Sequence, residues 1–279
     1  MPELPETETI ARDLHTMVVG AIIDQVTVTR ADVLREAVPS EWSTTLCGAA
    51  IAHVWRRAKM IVMDCLTPAG SLYHVVVQPR FTGGLIVDDG TLPDAERAYV
   101  CVSWHLADGR LLHYRDVRRL GTVALMTAER FGEYSASLGP EPLDPALDDA
   151  AFSGCIRDTR QPIKAALMDQ KRLAGVGNIY ANEALWSAGI DPSREAASLS
   201  PQESSALRSA LRAVLKASIA ARGTSFRDYR DARGERGSFV EQLAAYGRAG
   251  LPCRQCGHRL VGTHEVDGRS TVFCAWCQH

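Results

Sequence analysis

The sequence lacks the features that mark membrane-spanning, exported and repetitive proteins. No apolar run approaches the roughly 20 residues that a helix needs to cross a bilayer, and the acidic start Met-Pro-Glu-Leu-Pro-Glu has no apolar core of a secretory signal. Internal repeats and low-complexity segments are also absent. Because 46% of the 279 residues are hydrophobic and 23% are charged, we expect a globular protein of about two domains. We expect it to act in the cytoplasm and to have no membrane partner.

A strong excess of positive charge is missing as well. The formal net charge is −2 at pH 7, which excludes a protein that wraps DNA through a uniformly basic surface. Basic residues are nevertheless clustered around 56–59, 115–119, 157–172 and 222–248, and three of these clusters lie beside glycines that let a backbone approach a ligand. A single basic cluster would indicate only a solvent-exposed face of the protein. Four together favour a phosphate-binding track, because nucleic-acid binding depends on where the charge is placed.

The cysteines fall into two groups of different spacing. Four are isolated in apolar or mixed surroundings, which predicts buried thiols in a reducing compartment: Cys47, Cys65, Cys101 and Cys155. The others form two Cys-x2-Cys pairs with the spacing of a four-thiolate zinc ribbon: Cys253, Cys256, Cys274 and Cys277. Two disulfides are the alternative, and they fit poorly with a chain that shows no export signal. Four sulfurs fill the coordination shell, so we predict one structural zinc ion.

The pattern of the chain changes at an acidic, proline-rich stretch, 139–149. A first helix is expected from near Pro5 to Gly20, because the acids after Pro5 favour a helix start and apolar residues then share one face. Strands are predicted before the stretch, at 22–29, 60–66, 72–77, 85–87, 99–106 and 122–126. Helices are predicted after it, at 149–156, 163–168, 179–188 and 201–222. Residues 258–273 predict a hairpin that turns near Asp267-Gly268.

The turn at 173–178, Leu-Ala-Gly-Val-Gly-Asn, lies between two predicted helices. Two glycines two residues apart permit a tight turn that aims its N–H groups outward, and the next helix adds its N-terminus. This arrangement predicts a seat for phosphate. An ordinary helix hairpin remains the alternative, because Gly-x-Gly-Asn alone is a weak signal.

Three motifs in order along the chain resemble those of bacterial formamidopyrimidine-DNA glycosylases, which belong to the helix–two-turn–helix DNA glycosylases. The motifs are Pro2-Glu3-Leu4-Pro5-Glu6, Gly175-Val176-Gly177-Asn178-Ile179-Tyr180, and Gly268-Arg269 before Phe273-Cys274. The resemblance covers essentially the whole chain, and Leu4 favours this branch over the endonuclease VIII branch, which usually carries glycine there. Each motif is rare, and their combination in the right order is very specific.

The resemblance implies an α+β fold. It comprises an N-terminal β-sandwich with flanking helices, and a C-terminal helical domain with a helix–two-turn–helix motif and a zinc-ribbon β-hairpin. The implied domains are a catalytic domain at 1–135, a linker at 136–149 and a helix–two-turn–helix domain at 150–245. The last of these carries a flexible lesion-recognition loop at 223–238, and a four-cysteine zinc finger follows at 246–279.

The resemblance also implies a function in base-excision DNA repair. The expected protein is a bifunctional DNA N-glycosylase and abasic-site lyase that removes oxidised purines, such as 8-oxoguanine and formamidopyrimidines, by β,δ-elimination. Its partner would be damaged double-stranded DNA, bound by a monomer at the bacterial nucleoid. The alternatives are the same chemistry on oxidised pyrimidines and a catalytically inactive zinc protein that binds damaged DNA. Intact Pro2 and Glu3 argue against the inactive protein, and a zinc hydrolase is disfavoured because the ribbon has no open coordination site.

The implied catalytic residues begin at the N-terminus. Removal of Met1 would make Pro2 a secondary amine, which loses its proton more easily than a lysine side chain. This amine would attack the sugar C1′, expel the damaged base and form a Schiff base. Glu3 corresponds to the acid and base that opens the sugar ring and shuttles protons. Glu6 corresponds to a glutamate that supports the site.

Further residues correspond to phosphate contacts of the family. Lys59 corresponds to a hairpin lysine that contacts the phosphates of the lesion, and Arg269 to the arginine that grips both flanking phosphates. Asn178 and the turn amides correspond to the clamp beside the flipped nucleotide. Extra phosphate contacts are expected from Arg160, Lys164, Tyr246 and Arg248.

Three family residues fill the space that an extruded nucleotide leaves behind. Arg118 matches the arginine of this set, whereas Phe81 stands where methionine is usual and Leu120 where phenylalanine is usual. Tyr99, near a position where histidine is common, is a further expected DNA contact. Leu120 has no π face, so we expect Phe81 to compensate, with cytosine as the preferred opposite base and weaker discrimination than a phenylalanine at position 120 would confer.

Overall fold

Two compact units make up the protein, for which a computed structural model describes residues 2–226 and 229–279. The first unit is Met1–Ala136 with Arg222–Ser238, and the second is Ser137–Ala221 with Phe239–His279. Residues 222–238, which include the expected lesion-recognition loop, group with the first unit, and residues 137–149 of the expected linker group with the second. Met1, whose removal is expected, and Arg227 and Asp228 of the expected loop lie outside the described residues.

The first unit is built on two sheets. The strands are β1 (Ile23–Val28), β2 (Leu34–Arg35), β3 (Ala50–Arg57), β4 (Met60–Leu66), β5 (Leu72–Gln78), β6 (Gly83–Asp88), β7 (Val100–Leu106), β8 (Leu111–Asp116) and β9 (Thr122–Thr127). One sheet has the order β1-β7-β8-β6 and the other β2-β9-β5-β4-β3, and all strand pairs are antiparallel except β2 with β9. Its helices are α1 (Leu4–Val18), α2 (Pro39–Leu46), α3 (Asp94–Arg97) and α4 (Ala128–Ala136).

One hydrophobic core is shared by both sheets and by α1. Trp104 of β7 and Met63 of β4 are completely buried in it. From α1 the core receives Ile10, Leu14 and Val18, which are spaced four residues apart and therefore lie on one helix face. The predicted first helix is confirmed, and so is the α+β class with N-terminal sheets.

The second unit is mainly helical. Its elements are α5 (Asp149–Ile156), α6 (Ile163–Met168), α7 (Asn178–Ala188), α8 (Pro201–Ala220), β10 (Val261–Thr263) and β11 (Thr271–Phe273). The predicted helices at 149–156 and 163–168 are confirmed to the residue, and the predicted hairpin turns between β10 and β11 as expected. Leu207, Leu211 and Leu215 form the buried stripe of α8. The Tyr180 hydroxyl of α7 lies 2.6 Å from the Ser218 hydroxyl of α8.

Among the strands that the sequence pattern did not predict, β2 has only two residues, whereas β3 contains a bulge and β8 contains buried polar residues. In β3 the register shifts between Ile51 and His53, which breaks the alternation of inward and outward side chains. In β8 the polar residues His113 and Asp116 are buried, so the buried positions of this strand do not form an apolar pattern in the sequence. No helix among residues 2–226 and 229–279 has both the length and the apolar character to cross a membrane.

The expectation of four isolated buried thiols is wrong in part. Cys65 and Cys101 are buried, but Cys47 is exposed and Cys155 is half-buried. Burial raises the pKa of Cys65 to about 12, with a further contribution from Asp64. Cys47 follows α2 directly, and an apolar-looking neighbourhood in sequence did not indicate which face of that helix end would meet solvent.

The N-terminus of α8 carries a reciprocal cap that makes stability depend on pH. The Ser200 hydroxyl accepts a hydrogen bond from the Glu203 N–H at 3.2 Å, and the Glu203 carboxylate accepts from the Ser200 N–H at 2.7 Å. Hydrogen bonds from the Arg194 side chain and from the Ser200 backbone lower the pKa of Glu203 to about 2. A carboxyl whose pKa is depressed in the fold stabilises it above the unfolded pKa, and that stabilisation is lost as pH falls toward the folded pKa.

We predict that Ser200→Ala lowers the free energy of unfolding by about 1 kcal/mol, because an N-cap acceptor is lost. Glu203→Gln should remove part of the acid-induced destabilisation that the wild type shows between about pH 4.5 and pH 2. Urea unfolding at pH 7 and pH 3 measures both effects, with the exposed Gln202→Ala in the same helix turn as control. Equal pH dependence in wild type and Glu203→Gln would contradict the assignment.

Candidate active site and nucleic-acid interface

The N-terminal motif forms a buried first turn. Pro2 and Glu3 are buried directly before α1, and Glu6 lies one turn further along that helix. The Glu3 N–H donates to Glu6 Oε2 at 2.8 Å, so the Glu6 carboxylate satisfies a backbone donor that has no partner within the helix. The motif thereby brings together, in this first turn, the three residues that the sequence predicted as nucleophile, acid and support.

Glu6 also ties this turn to the segment 222–238. Its Oε1 accepts the Thr224 N–H at 2.7 Å. The neighbouring Gly223 has φ +86°, and a Cβ there would lie 3.0 Å from Glu6 Cγ and Oε1. Only glycine therefore combines this backbone conformation with such a close approach. The buried Glu6 carboxylate of α1 therefore fixes the position of the start of this segment.

Ion pairs of Arg222 also hold the same segment to α1. The Arg222 guanidinium pairs with Asp13 of α1 and with Asp231 of the segment. Asp231 is buried and also accepts backbone N–H groups from Arg233 and Glu235, each at 2.9 Å. The described residues of the predicted loop are thus linked to α1 through the Thr224 bond to Glu6 and the ion pairs of Arg222.

Lys59 lies at the tip of the hairpin between β3 and β4. Ala58 beside it has φ +53°, a left-handed conformation that costs a residue with a side chain on the order of 1 kcal/mol. Arg56 braces this turn, since it donates to the Ala58 carbonyl at 3.0 Å and to Glu8 of α1 at 2.8 Å. Burial alone would raise the pKa of Glu8, but Arg56 and Arg12 hold it below its ordinary value. Glu8 and Arg56 thus link the Lys59 hairpin to the helix of the N-terminal motif.

The residues expected to fill an evacuated base stack occupy two neighbouring loops. Phe81 is 47% exposed between β5 and β6, and Leu120 is 41% exposed between β8 and β9. The Arg118 guanidinium lies over the Phe81 ring, 5.5 Å from its centroid. Tyr99, just before β7, is also exposed. Exposed aromatic and apolar side chains beside a cation are typical of a binding surface.

In the second unit, the glycine turn is joined to the hairpin that carries Arg269. The Asn178 side chain, at the start of α7, donates to the Ser270 carbonyl at 3.0 Å. Asn182, one turn later, accepts the Val272 N–H of β11 at 2.7 Å. Arg269 itself is exposed, and its N–H donates to Asp267 Oδ1 at 3.1 Å. The structure therefore brings the predicted clamp and the predicted phosphate-gripping arginine onto one hydrogen-bonded framework.

Lys164 does not occupy the exposed position that a phosphate contact requires. Its side chain is 0% exposed, and its ammonium donates to Asp267 at 3.1 Å, to the Ser270 carbonyl at 3.2 Å and to the Thr271 hydroxyl at 2.7 Å. These bonds hold the hairpin turn next to Arg269, which argues for a positioning role instead of the expected direct contact. Arg160 is exposed, as a phosphate contact would need to be.

Glu183 of α7 was not predicted from the sequence. It is buried and accepts three successive backbone N–H groups, from Ala244, Ala245 and Tyr246, at 2.7 to 2.9 Å. Burial raises its pKa, although the three backbone bonds oppose this. Glu183 therefore fixes the chain that leads into Tyr246 and Arg248, both half-buried. The only sequence signal was that Glu183 is the single charged residue of α7.

The four paired cysteines converge in the second unit. The sulfur atoms of Cys253, Cys256, Cys274 and Cys277 all lie within 4.8 Å of one another. Tetrahedral zinc with Zn–S bonds of about 2.3 Å places its sulfurs roughly 3.8 Å apart, so the donor set fits such an ion. The alternative of two disulfides is not adopted, because all eight cysteines are free thiols. Trp186 Nε1 donates to Cys253 Sγ at 3.4 Å and connects the cluster to α7.

Comparison with known proteins assigns both parts of the chain to one class, the DNA glycosylases with an H2TH domain. The formamidopyrimidine-DNA glycosylase N-terminal domain matches residues 1–123, and the formamidopyrimidine-DNA glycosylase H2TH domain matches residues 138–230. A formamidopyrimidine-DNA glycosylase of Moorella thermoacetica is 43% identical over 262 residues, which cover 93% of each chain. One of Desulfitobacterium hafniense is 39% identical over 280 residues, which cover 100% of each chain. The chain belongs to the formamidopyrimidine-DNA glycosylase family.

Solved structures agree over the full length. A Lactococcus lactis Fpg variant in complex with a Fapy-dG-containing DNA has a TM-score of 0.89 and 30% identity, with 100% of both chains covered. The wild-type Lactococcus lactis protein with an oxidised-pyrimidine-containing DNA has a TM-score of 0.88 and 30% identity, again with 100% of both covered. The protein of Thermus thermophilus has a TM-score of 0.85 and 34% identity, covering 99% of this chain and 98% of its own.

We predict that Lys164→Met lowers the free energy of local opening of the β10–β11 hairpin by about 3 kcal/mol, because Asp267 then keeps a largely buried charge without its cation. Adding Asp267→Asn should restore much of this loss. Hydrogen exchange of the hairpin amides measures the local opening, with the exposed Lys171→Met as control. Unchanged exchange in Lys164→Met would show that Lys164 does not hold the turn.

Proposed function

We propose that this protein is a bifunctional DNA N-glycosylase and abasic-site lyase that removes oxidised purines from duplex DNA through a Schiff base on Pro2. The observation that carries the proposal is the buried first turn, in which Glu3 follows Pro2 directly and its N–H donates to the Glu6 carboxylate at 2.8 Å. Family membership supports the reaction class. We further propose that a monomer binds damaged DNA at the bacterial nucleoid.

The chemistry follows from a free amine at Pro2. After removal of Met1, burial of the site would disfavour the protonated amine and so favour the nucleophile. The nitrogen lone pair forms a bond to the sugar C1′ as the bond from C1′ to the base breaks, and the base leaves with a proton. Glu3 protonates the ring oxygen as the sugar opens, and an iminium results.

The iminium then acts as an electron sink for strand cleavage. Loss of a C2′ proton to a base, proposed to be Glu3, breaks the bond from C3′ to the phosphate oxygen. A second elimination releases the 5′ phosphate, and water hydrolyses the remaining Schiff base to free the amine. Each elimination breaks a bond between the sugar and a phosphate group. Lys59 and Arg269 are the side chains proposed to hold these phosphates. Their hairpins are braced by Arg56 and Lys164 respectively.

The zinc ion is proposed to have a structural role. Cys253, Cys256, Cys274 and Cys277 would hold it, and all four ligands come from the protein, so no position is open to substrate. The cluster lies at the base of the β10–β11 hairpin, because Cys274 follows β11 directly. Zinc would therefore stabilise a hairpin too small to fold around a core of its own.

Oxidised pyrimidines are the second candidate substrate class. One observation favours them: the similar Lactococcus lactis protein has been crystallised with an oxidised-pyrimidine-containing DNA. Excision from duplexes that each carry one lesion, 8-oxoguanine, a formamidopyrimidine or an oxidised pyrimidine, separates the two classes. Faster excision of the pyrimidine would overturn the proposed preference for purines.

We predict that borohydride traps a covalent complex between this protein and lesion-containing or abasic DNA, and that peptide mapping places the adduct at Pro2. Pro2→Gly should keep some lyase activity, because it retains an N-terminal amine. A short N-terminal extension should abolish trapping, whereas the same extension at the C-terminus should leave it intact. An adduct at Lys59 would refute the assignment.

We predict one zinc per chain, lost in Cys256→Ser and retained in the control Cys155→Ser, which alters a thiol outside the cluster. Metal loss should weaken DNA binding because the Arg269 hairpin loosens. Arg269→Ala should retain zinc, weaken binding and reduce the dependence of log affinity on log salt by about one phosphate contact. Full activity of a stoichiometrically zinc-free preparation would contradict this role.

A further inference from the structure

A single buried carboxylate joins the loops that carry the exposed DNA-probing side chains. Asp116, at the end of β8, is 1% exposed. Its Oδ1 accepts hydrogen bonds from the Thr82 hydroxyl and from the Arg118 N–H, the latter at 3.2 Å. Its Oδ2 accepts from the Gly121 N–H at 2.8 Å and from the Tyr114 hydroxyl at 3.1 Å. Both oxygens are thus occupied by donors from different segments.

The bonded groups lie beside the side chains expected to enter the DNA stack. Thr82 follows Phe81 directly, and its hydroxyl also accepts the Arg118 N–H at 3.1 Å. Gly121 follows Leu120 directly. The backbone N–H of Asp116 donates to the Tyr99 carbonyl at 3.0 Å. Asp116 therefore bonds directly to the backbone of Arg118 and Tyr99, and to the residues that follow Phe81 and Leu120.

The surroundings of Asp116 leave little freedom for the two loops to shift. The Tyr114 hydroxyl is packed against Gly83 and Gly121, and a Cβ on these glycines would lie 2.6 and 2.1 Å from that oxygen. Such distances allow no side chain at either position. Burial and the nearby Asp116 charge raise the pKa of Tyr114, so the hydroxyl stays protonated and remains a donor to the carboxylate.

The contact between the two probes depends on this junction. Arg118 lies over the Phe81 ring with 5.5 Å between guanidinium carbon and centroid, although the two side chains come from different loops and are both exposed. Exposed cation–π pairs are weak, and two freely moving loops would not keep this spacing. A shared backbone anchor gives the pair a defined separation before DNA binds.

We propose that Asp116 is a positioning residue that fixes Phe81 and Arg118 as one preassembled probe and thereby determines discrimination among the bases opposite the lesion. The inference rests on the proposed function for its biological meaning. Thr82 acts with Asp116, because its hydroxyl is the link to the Phe81 loop. The other possibility is that the carboxylate only closes the end of β8, in which case its loss would alter stability alone.

The test compares binding to four duplexes that contain a tetrahydrofuran abasic-site analogue opposite cytosine, guanine, adenine or thymine. This probe requires no chemistry. The variants are Asp116→Asn, which turns one acceptor into a donor, Thr82→Val, which replaces the hydroxyl with a methyl group, and Thr82→Ser, which keeps the hydroxyl. Asp108→Asn, at an exposed turn of the same unit, is the matched control. Trapping on single-stranded abasic DNA, which has no opposite base, reports the reactive centre separately.

Wild type should bind the duplex with cytosine most tightly. The preference for cytosine should fall about tenfold in Asp116→Asn, since bonds to a charged acceptor are lost, and about threefold in Thr82→Val. Thr82→Ser and Asp108→Asn should keep the wild-type preference. Single-stranded trapping by folded Thr82→Val should stay within about twofold of wild type, because stacking probes are not used there.

The inference would be overturned by an unchanged preference in Thr82→Val and Asp116→Asn, or by a fall in preference matched by an equal fall in single-stranded trapping. A wild type that binds all four duplexes equally would overturn it as well. If Asp116→Asn does not fold, Thr82→Val against Thr82→Ser decides. A wild type that discriminates among the four duplexes but excises no lesion would refute the proposed function and leave this inference standing.

Discussion

The hydrogen bond from a backbone N–H to a buried carboxylate is the interaction on which the candidate site depends. Glu6, Asp116 and Glu183 are each buried, and each accepts backbone donors from a segment that carries predicted functional residues. A buried charge without partners is costly, whereas the same charge with well-placed N–H donors is stabilised. The loops are consequently held in one conformation by groups that cannot be left unsatisfied.

In this arrangement, the buried groups that position the site are separate from the exposed groups that would contact DNA. Phe81, Leu120 and Arg269 are exposed on short loops and hairpins, while the groups that anchor those segments are buried. Lys164 illustrates the division, since a basic residue close to Arg269 serves the hairpin and not the solvent-facing surface. Binding side chains placed on rigid, hydrogen-bonded supports lose less freedom when they engage a ligand.

Local pattern was sufficient where one physical rule dominated. The helices at 149–156 and 163–168 and the helix after Pro5 follow from apolar spacing and helix-start signals, and the four-thiolate cluster follows from its spacing. Pattern failed for β3 and β8, because a bulge interrupts one and buried polar residues mask the other. The mistake on Cys47 has a similar origin, since solvent exposure at a helix end depends on distant neighbours.

The sequence by itself determined the family, the identity of the paired thiols and the order of the motifs, because these depend on residue type and spacing along the chain. Only the tertiary structure decided that Lys164 is buried, that Glu183 holds the segment before Tyr246, and that Asp116 joins two loops. Burial and hydrogen-bond partners are set by residues far apart in the chain. A charged residue looks the same in sequence whether it meets solvent, a phosphate or a buried backbone N–H, so its role appears only once the fold has chosen its neighbours.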